Sequence, residues 1–277
     1  MIGLLLTFAA TFFTEAQESL GKQKVAEGKQ SIYTMGFLSM LWSTVFFLCI
    51  IITKHTFVFS LASLPTFITR VVLELILAQV SVIAITRADR STYNFIRVGT
   101  IPLLLITDLI LGYSITLPAL FGIGIIILAL LILFRNHGVG KKGVLPVIAT
   151  TLLAVATLSL YKYNITHFNS VEAEEGIVGA ILVLYFFCMA VFVAKENPLR
   201  SLLRPDFFVQ SLSAGLGNVL MGFAYLYGAA SIITTAKRGL SVLWAILSGK
   251  MYFREKGLYV KLLALAVIVI GLALTIL

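Results

Sequence analysis

Two adjacent cations, Lys237 and Arg238, stand inside an otherwise apolar run from Ala229 to Gly249. A charged side chain near the centre of a bilayer costs roughly 2.5–3.5 kcal/mol even on mild insertion scales, so it faces water, a counter-ion or a ligand. Arginine holds a phosphate or carboxylate through a bidentate fork, and lysine attracts one as a point charge. The pair therefore reads as an anion site; the plainer alternative is a buried ion pair with Glu74, Glu15 or Asp108. Adjacent residues lie about 100° apart around a helix, which predicts one side chain facing a cavity and the other at its edge.

Other charges sit in apolar surroundings. Glu15 lies in the inner half of the first apolar run; it could exchange protons, pair with Arg97, or be solvated near Lys22. Arg97 either faces the same site as Arg238 or extends to the near interface. Arg70 and Glu74 are one helical turn apart, a spacing that predicts their mutual pairing. Asp108 falls near a helix end and reads as solvated. Tyr225 is a cavity-wall candidate beside Asn218, in a segment where Gly215, Gly217, Gly222 and Gly228 predict close helix packing. Tyr161, Tyr163, Tyr227 and Trp244 suit packing or interfacial positions. Cys49 and Cys188, like His55, His137 and His167, lack metal-ligand spacing. With no phosphate-binding loop, nucleophile elbow or metal cluster, the sequence predicts no enzyme, no cofactor and no bound metal.

These residues need helices to position them. The chain of 277 residues is 60% hydrophobic and 12% charged, against about 45–50% and about 25% in soluble domains. An all-α polytopic membrane protein is expected. Ten runs are long enough to span a bilayer: roughly 2–20, 31–53, 65–87, 92–112, 117–134, 144–164, 176–194, 207–228, 229–249 and 257–277. Pro65, Pro118 and Pro146 fall at segment starts, and Pro102 is expected to kink the fourth. The start Met1–Phe13 lacks a basic region and cleavage site, so no signal peptide is expected. Fourteen lysines and arginines, among them Lys24, Arg87, Arg204 and Lys250, fall in the odd-numbered connections; Lys54 and Lys162 fall on the other side. That bias predicts a multi-pass protein of the cell (inner or plasma) membrane with both termini outside. It also accounts for the net charge of +9 without nucleic acid. Asn164-Ile165-Thr166 matches a glycosylation sequon on the outer side.

Arg97 and Arg238 are 141 residues apart, and the same offset pairs Gly112-Tyr113-Ser114 with Phe253-Arg254-Glu255. This suggests two five-helix halves, over 1–138 and 139–277. Five is odd, so the halves would be inverted relative to each other, with a site at their interface. The run Ala236-Lys237-Arg238-Gly239-Leu240-Ser241, with Gly249, Glu255, Gly257 and Gly271, resembles the end of an EamA-type repeat of the drug/metabolite transporter superfamily. Pro102 and Gly112 take the matching places in the first half. Two departures stand out: Ser114 replaces the glutamate expected at the first turn, and such proteins are usually described with inside termini.

The resemblance implies ten transmembrane helices as two inverted repeats. It also implies a cavity lined by the first, third, fourth, sixth, eighth and ninth helices, with the fifth and tenth packed at the rear. The Lys237-Arg238 pair resembles the anion-binding pair of the plastid phosphate translocators, and Glu15 resembles the embedded glutamate of small multidrug exporters. Candidate substrate contacts are thus Arg97, Lys237, Arg238, Glu15, Glu74 and Tyr225. The leading expectation is a gradient-driven transporter of a small polar, anionic organic metabolite. Its partners would be that substrate, the lipid bilayer and a coupling proton or counter-substrate, and the protein would be a monomer or homodimer. A proton-coupled exporter of organic cations or amino acids through Glu15 is one alternative. A non-transporting scaffold or lipid-handling protein is another.

Overall fold

A computed structural model describes residues 1–88, 93, 96–135, 143–253 and 258–275 of the chain. Among the described residues there is no strand, and ten helices of eleven residues or more carry the fold. They are α1 (Ile2–Ala26), α2 (Ile32–Lys54), α3 (Leu64–Arg87), α4 (Thr100–Ile110), α5 (Leu117–Arg135), α6 (Val144–His167), α7 (Val171–Cys188), α8 (Pro205–Leu226), α9 (Ala230–Phe253) and α10 (Leu258–Leu274). A π-helical turn, Met189–Val193, extends α7, and a one-turn helix, Pro198–Ser201, leads into α8. The expected boundary between residues 138 and 139 lies outside the described residues, as do Arg90, Lys141, Lys142, Arg254, Glu255, Lys256 and Gly257.

Among the described residues, five helices are long and apolar enough to cross a membrane: Ile32–Lys54, Leu61–Ala84, Val144–His167, Val171–Val193 and Pro205–Leu226. The helical stripes they turn outward are apolar. On α3 and the 3-10 turn before it, Leu61, Leu64, Ile68, Val72 and Ile76 are all exposed, and on α6 so are Leu145, Ile148 and Leu152. Helices that are apolar on the inside and the outside alike suit a lipid surround, because water would leave the outer stripes unburied. The protein is a helical bundle of membrane type.

Contacts between named residues give the packing directions. Ser211 Oγ donates to the carbonyl of Leu38, and a Cβ on Gly222 would sit 3.2 Å from Phe47, so α2 and α8 run parallel. Gly36 near the start of α2 meets Phe186 near the end of α7, an antiparallel contact. The partner sets recur with helix numbers advanced by five: α1 packs antiparallel on α8 and α6 antiparallel on α3, while α1 runs parallel to α9 and α6 parallel to α4. α5 crosses α10 at glycine: a Cβ on Gly122 would come within 2.5 Å of the Gly271 carbonyl, so only glycine permits this backbone approach. Every direction fits strict up-and-down alternation along the chain. The tight glycines of α8 do pack closely, as a Cβ on Gly215 would lie 2.5 Å from that of Trp42.

Pro102 interrupts the fourth expected run, as a proline inside it should: residues 96–97 are helical, the helix breaks, and it resumes at Thr100. The proline stands in the first turn of α4, after a break at Val98-Gly99 where Ile101 N donates to the Val98 carbonyl. Proline has no N–H to bond that carbonyl, so the tighter turn takes its place. Asn164, the first residue of the sequon, is buried in the fold, and its Oδ1 accepts from Thr66 Oγ1 at 2.6 Å.

At the opposite end of the bundle, Glu196 caps α2. Its carboxylate accepts from Ser31 N at 3.0 Å, Ser31 Oγ at 2.8 Å and Thr34 Oγ1 at 2.5 Å. Burial pushes the carboxyl up, but these three donors outweigh it and hold it below the usual glutamate value. A carboxyl lowered on folding contributes stability above its unfolded pKa and loses it as the pH falls through the lowered value. Glu196→Gln should therefore cost on the order of 1 kcal/mol at neutral pH, discounted for partial exposure. Thermal unfolding of wild type and variant should converge as the pH drops below about 4; a constant difference would contradict the ionised cap.

Candidate functional site

A cavity of about 230 Å³ lies at the centre of the bundle. Its wall takes residues from α2, α3, α6, α7, α8 and α9, with Arg97 and Thr100 from the start of α4. Two parts of the expected wall differ. α1 contributes none of the residues, whereas α2 supplies Met40 and Ser43, and α7 supplies Glu175, Val178, Gly179 and Leu182. These two helices cross so closely that a Cβ on Gly179 would meet Thr44 Oγ1 at 2.4 Å, which puts both at the bundle centre.

One pole of the cavity is cationic. Arg97, Lys237 and Arg238 all line it. Lys237 and Arg238 lie seven and eight residues into α9, a depth of roughly 11–12 Å at about 1.5 Å per residue. Arg97 stands at the broken start of α4, where its guanidinium donates to Tyr93 Oη and lies 5.2 Å from the Tyr93 ring centroid. Both α9 cations reach the cavity, rather than one facing it and one its edge. Among the described residues no salt bridge joins Arg97, Lys237 or Arg238 to a carboxylate. The Nε atoms of Arg97 and Arg238 are buried and unbonded. Of the expected ion-pair partners, Asp108 is engaged elsewhere. Asp108, read from sequence as solvated, is buried, and its carboxylate accepts from Ser231 N at 2.7 Å, where it caps the first turn of α9.

The other pole is acidic and lies nearer the starts of α3 and α7. Arg70 is buried, with its guanidinium 4.4 Å from the Tyr161 ring centroid. Its two terminal nitrogens donate to Glu174 Oε2 and Glu175 Oε1, each at 2.5 Å. The expected Arg70–Glu74 pair is therefore not the bond formed; α7 supplies the partners across the bundle. Glu74 still lines the cavity, one turn from Arg70. Glu174 is fully buried and also accepts from Asn169 Nδ2 at 2.6 Å, while Asn169 Oδ1 accepts from Ser60 N at 2.9 Å. This network ties the α2–α3 connection to the start of α7. Sequence reading missed Glu174 and Glu175 by leaving them in a loop. The available signal was Ser170, whose hydroxyl accepts from Ala173 N and starts the helix earlier, with both glutamates inside it.

Two aromatic rings separate the poles. Tyr161 and Tyr225 meet edge to face with centroids 6.0 Å apart; Tyr161 Oη donates to the Gly222 carbonyl, and Tyr225 Oη bonds Thr234. Glu15 sits on α1, away from the cavity wall. Trp244 does not reach the cavity: its indole donates to Thr11 Oγ1 and packs on Phe8 and Phe12. Lys162, counted with the outer loop charges, is buried and donates to the Tyr225 carbonyl at 2.7 Å. No group of three or more histidine, cysteine, aspartate or glutamate side chains able to hold a metal occurs among the described residues.

No family model matches the chain, and no curated protein matches it. Among 25 matching chains of solved structures is one described only as "Crystal structure of protein", with a TM-score of 0.77. The likeness covers 99% of this chain and 98% of that one at 13% identity. At that identity it establishes a shared fold.

Proposed function

We propose that the protein is a gradient-driven transporter of small organic anions, working by alternating access around the central cavity. The observation that carries the reading is the convergence of Arg97, Lys237 and Arg238 on one cavity with no carboxylate bridged to them among the described residues. Partly buried cations clustered together are costly. Glu18 of α1 attracts Lys237 and Arg238, but no salt bridge joins them among the described residues, and an anionic ligand would supply further counter-charge. The broken entry to α4 supports it further, since interrupted helices commonly line transporter sites.

We read the ten helices as ten spans in two inverted five-helix repeats, over 1–138 and 139–277. The alternating packing directions and the recurrence of partner sets five helices apart support this. The same features support an EamA-like membership of the drug/metabolite transporter superfamily. In this reading the ends of α2, α4, α6 and α8 face outward, as the Lys/Arg bias predicts; a reporter active only in the cytoplasm would stay silent at the C-terminus. The cation-exporter alternative is weakened because Glu15 lies away from the cavity wall.

The test is thermal unfolding of detergent-purified protein with inorganic phosphate, short carboxylates and quaternary ammonium ions. A ligand at about 100 times its Kd stabilises by about 2.7 kcal/mol. Stabilisation by anions is expected. Stabilisation by the quaternary ammonium ions alone would contradict the proposal.

A further inference from the structure

The two poles of the cavity carry opposite charge. Among the described residues no salt bridge neutralises the cationic pole, where Glu18 attracts Lys237 and Arg238, and carboxylates outnumber the guanidinium at the acidic pole. At the acidic pole three carboxylates, Glu74, Glu174 and Glu175, share one guanidinium, and Arg70 spends both terminal nitrogens on Glu174 and Glu175. Its Nε is buried and unbonded. Glu74 and Glu175 line the cavity, so the excess negative charge faces the space and not the lipid. At the cationic pole three positive groups face the same space. The poles do not neutralise each other directly: no salt bridge crosses between them among the described residues, and the Tyr161–Tyr225 pair stands between.

We infer that the cavity takes zwitterions: a phosphate or carboxylate held by Arg97, Lys237 and Arg238, and on the same molecule an ammonium held by Glu74 beside Glu175. This rests on the anion-site reading above and names its substrate class. A simple anion would satisfy one pole and leave the excess carboxylate at the other uncompensated. A dianion would bring its second negative group against Glu74, where like charges in a poorly solvated space repel. A molecule with both charges satisfies the two poles at once, and ligand charges matched on both sides give selectivity more than bulk affinity. The cavity volume of about 230 Å³ suits a small metabolite.

The experiment is isothermal titration of the full-length protein in detergent with two matched pairs of probes. Phosphoethanolamine is set against ethyl phosphate, and β-alanine against propionate; within each pair only the ammonium differs. The expected result is that at least one zwitterion binds about tenfold or more tighter than its partner. In Glu74→Gln, which keeps the side-chain shape, that ratio should fall to about one, while Arg238→Ala weakens both members of the pair. Equal binding within both pairs, or a ratio untouched by Glu74→Gln, overturns the zwitterion inference and leaves the anion site standing. Binding of none of the four probes overturns the anion site as well.

Discussion

Arg238→Ala is expected to weaken binding of a small organic anion by about 10- to 100-fold, the equivalent of losing one or two charge-assisted hydrogen bonds. Lys237→Ala should fall at the lower end of that range, because a single ammonium offers no fork. Arg238→Lys, which keeps the charge but not the fork, should lie between. The stability of the ligand-free protein should move the other way. Arg238 has a buried, unbonded Nε and no salt bridge among the described residues, so removing it relieves its repulsion with Arg97 and Lys237. Ligand-free melting of the alanine variant should match or exceed wild type. A fall in melting temperature with no change in anion binding would instead assign the arginine a structural role.

Arg70→Met should produce the largest loss of stability of any substitution in the site, about 3–5 kcal/mol, the range for stripping one partner from a buried ion pair. Glu174 is fully buried and would keep its charge with only Asn169 to bond it. The loss should also loosen the α2–α3 connection, which is tied to α7 through Asn169. Adding Glu174→Gln to Arg70→Met should recover a large part of the stability, since the residual charge is removed with its partner. Thermal and denaturant unfolding in detergent read both variants. An Arg70→Met protein as stable as wild type would show that the three carboxylates are compensated by something other than this arginine.

The helices were legible because each is a long apolar run. The second, fifth and tenth expected spans agree with α2, α5 and α10 to within a few residues at every described end. The fourth was legible in part: hydropathy cannot see a backbone break, and Pro102 marks the interruption without showing that the helix restarts at Thr100. The site was half legible. Lys237 and Arg238 stand out as charges where hydrocarbon should be, and that anomaly is visible in one dimension. The Arg70 partners were hidden because Glu174 lies 104 residues away; the sequence neighbour Glu74 looked like the obvious mate. Asp108 and Lys162 looked solvated for a similar reason. Both are close to helix ends, but each turns inward to cap a neighbouring helix terminus, Asp108 at the start of α9 and Lys162 at the end of α8.

The central claim is that the three-cation pole binds an anion that the protein then carries across the membrane. Its most direct test is exchange in proteoliposomes. Vesicles loaded with unlabelled phosphoethanolamine, free of ATP, are placed in labelled phosphoethanolamine, and uptake is followed with wild type and with Arg238→Ala. Saturable uptake that requires internal substrate is expected, falling at least about tenfold in the variant. Saturable uptake of equal rate in Arg238→Ala, or no uptake above empty vesicles by a wild-type protein that binds the same molecule in detergent, would contradict the central claim.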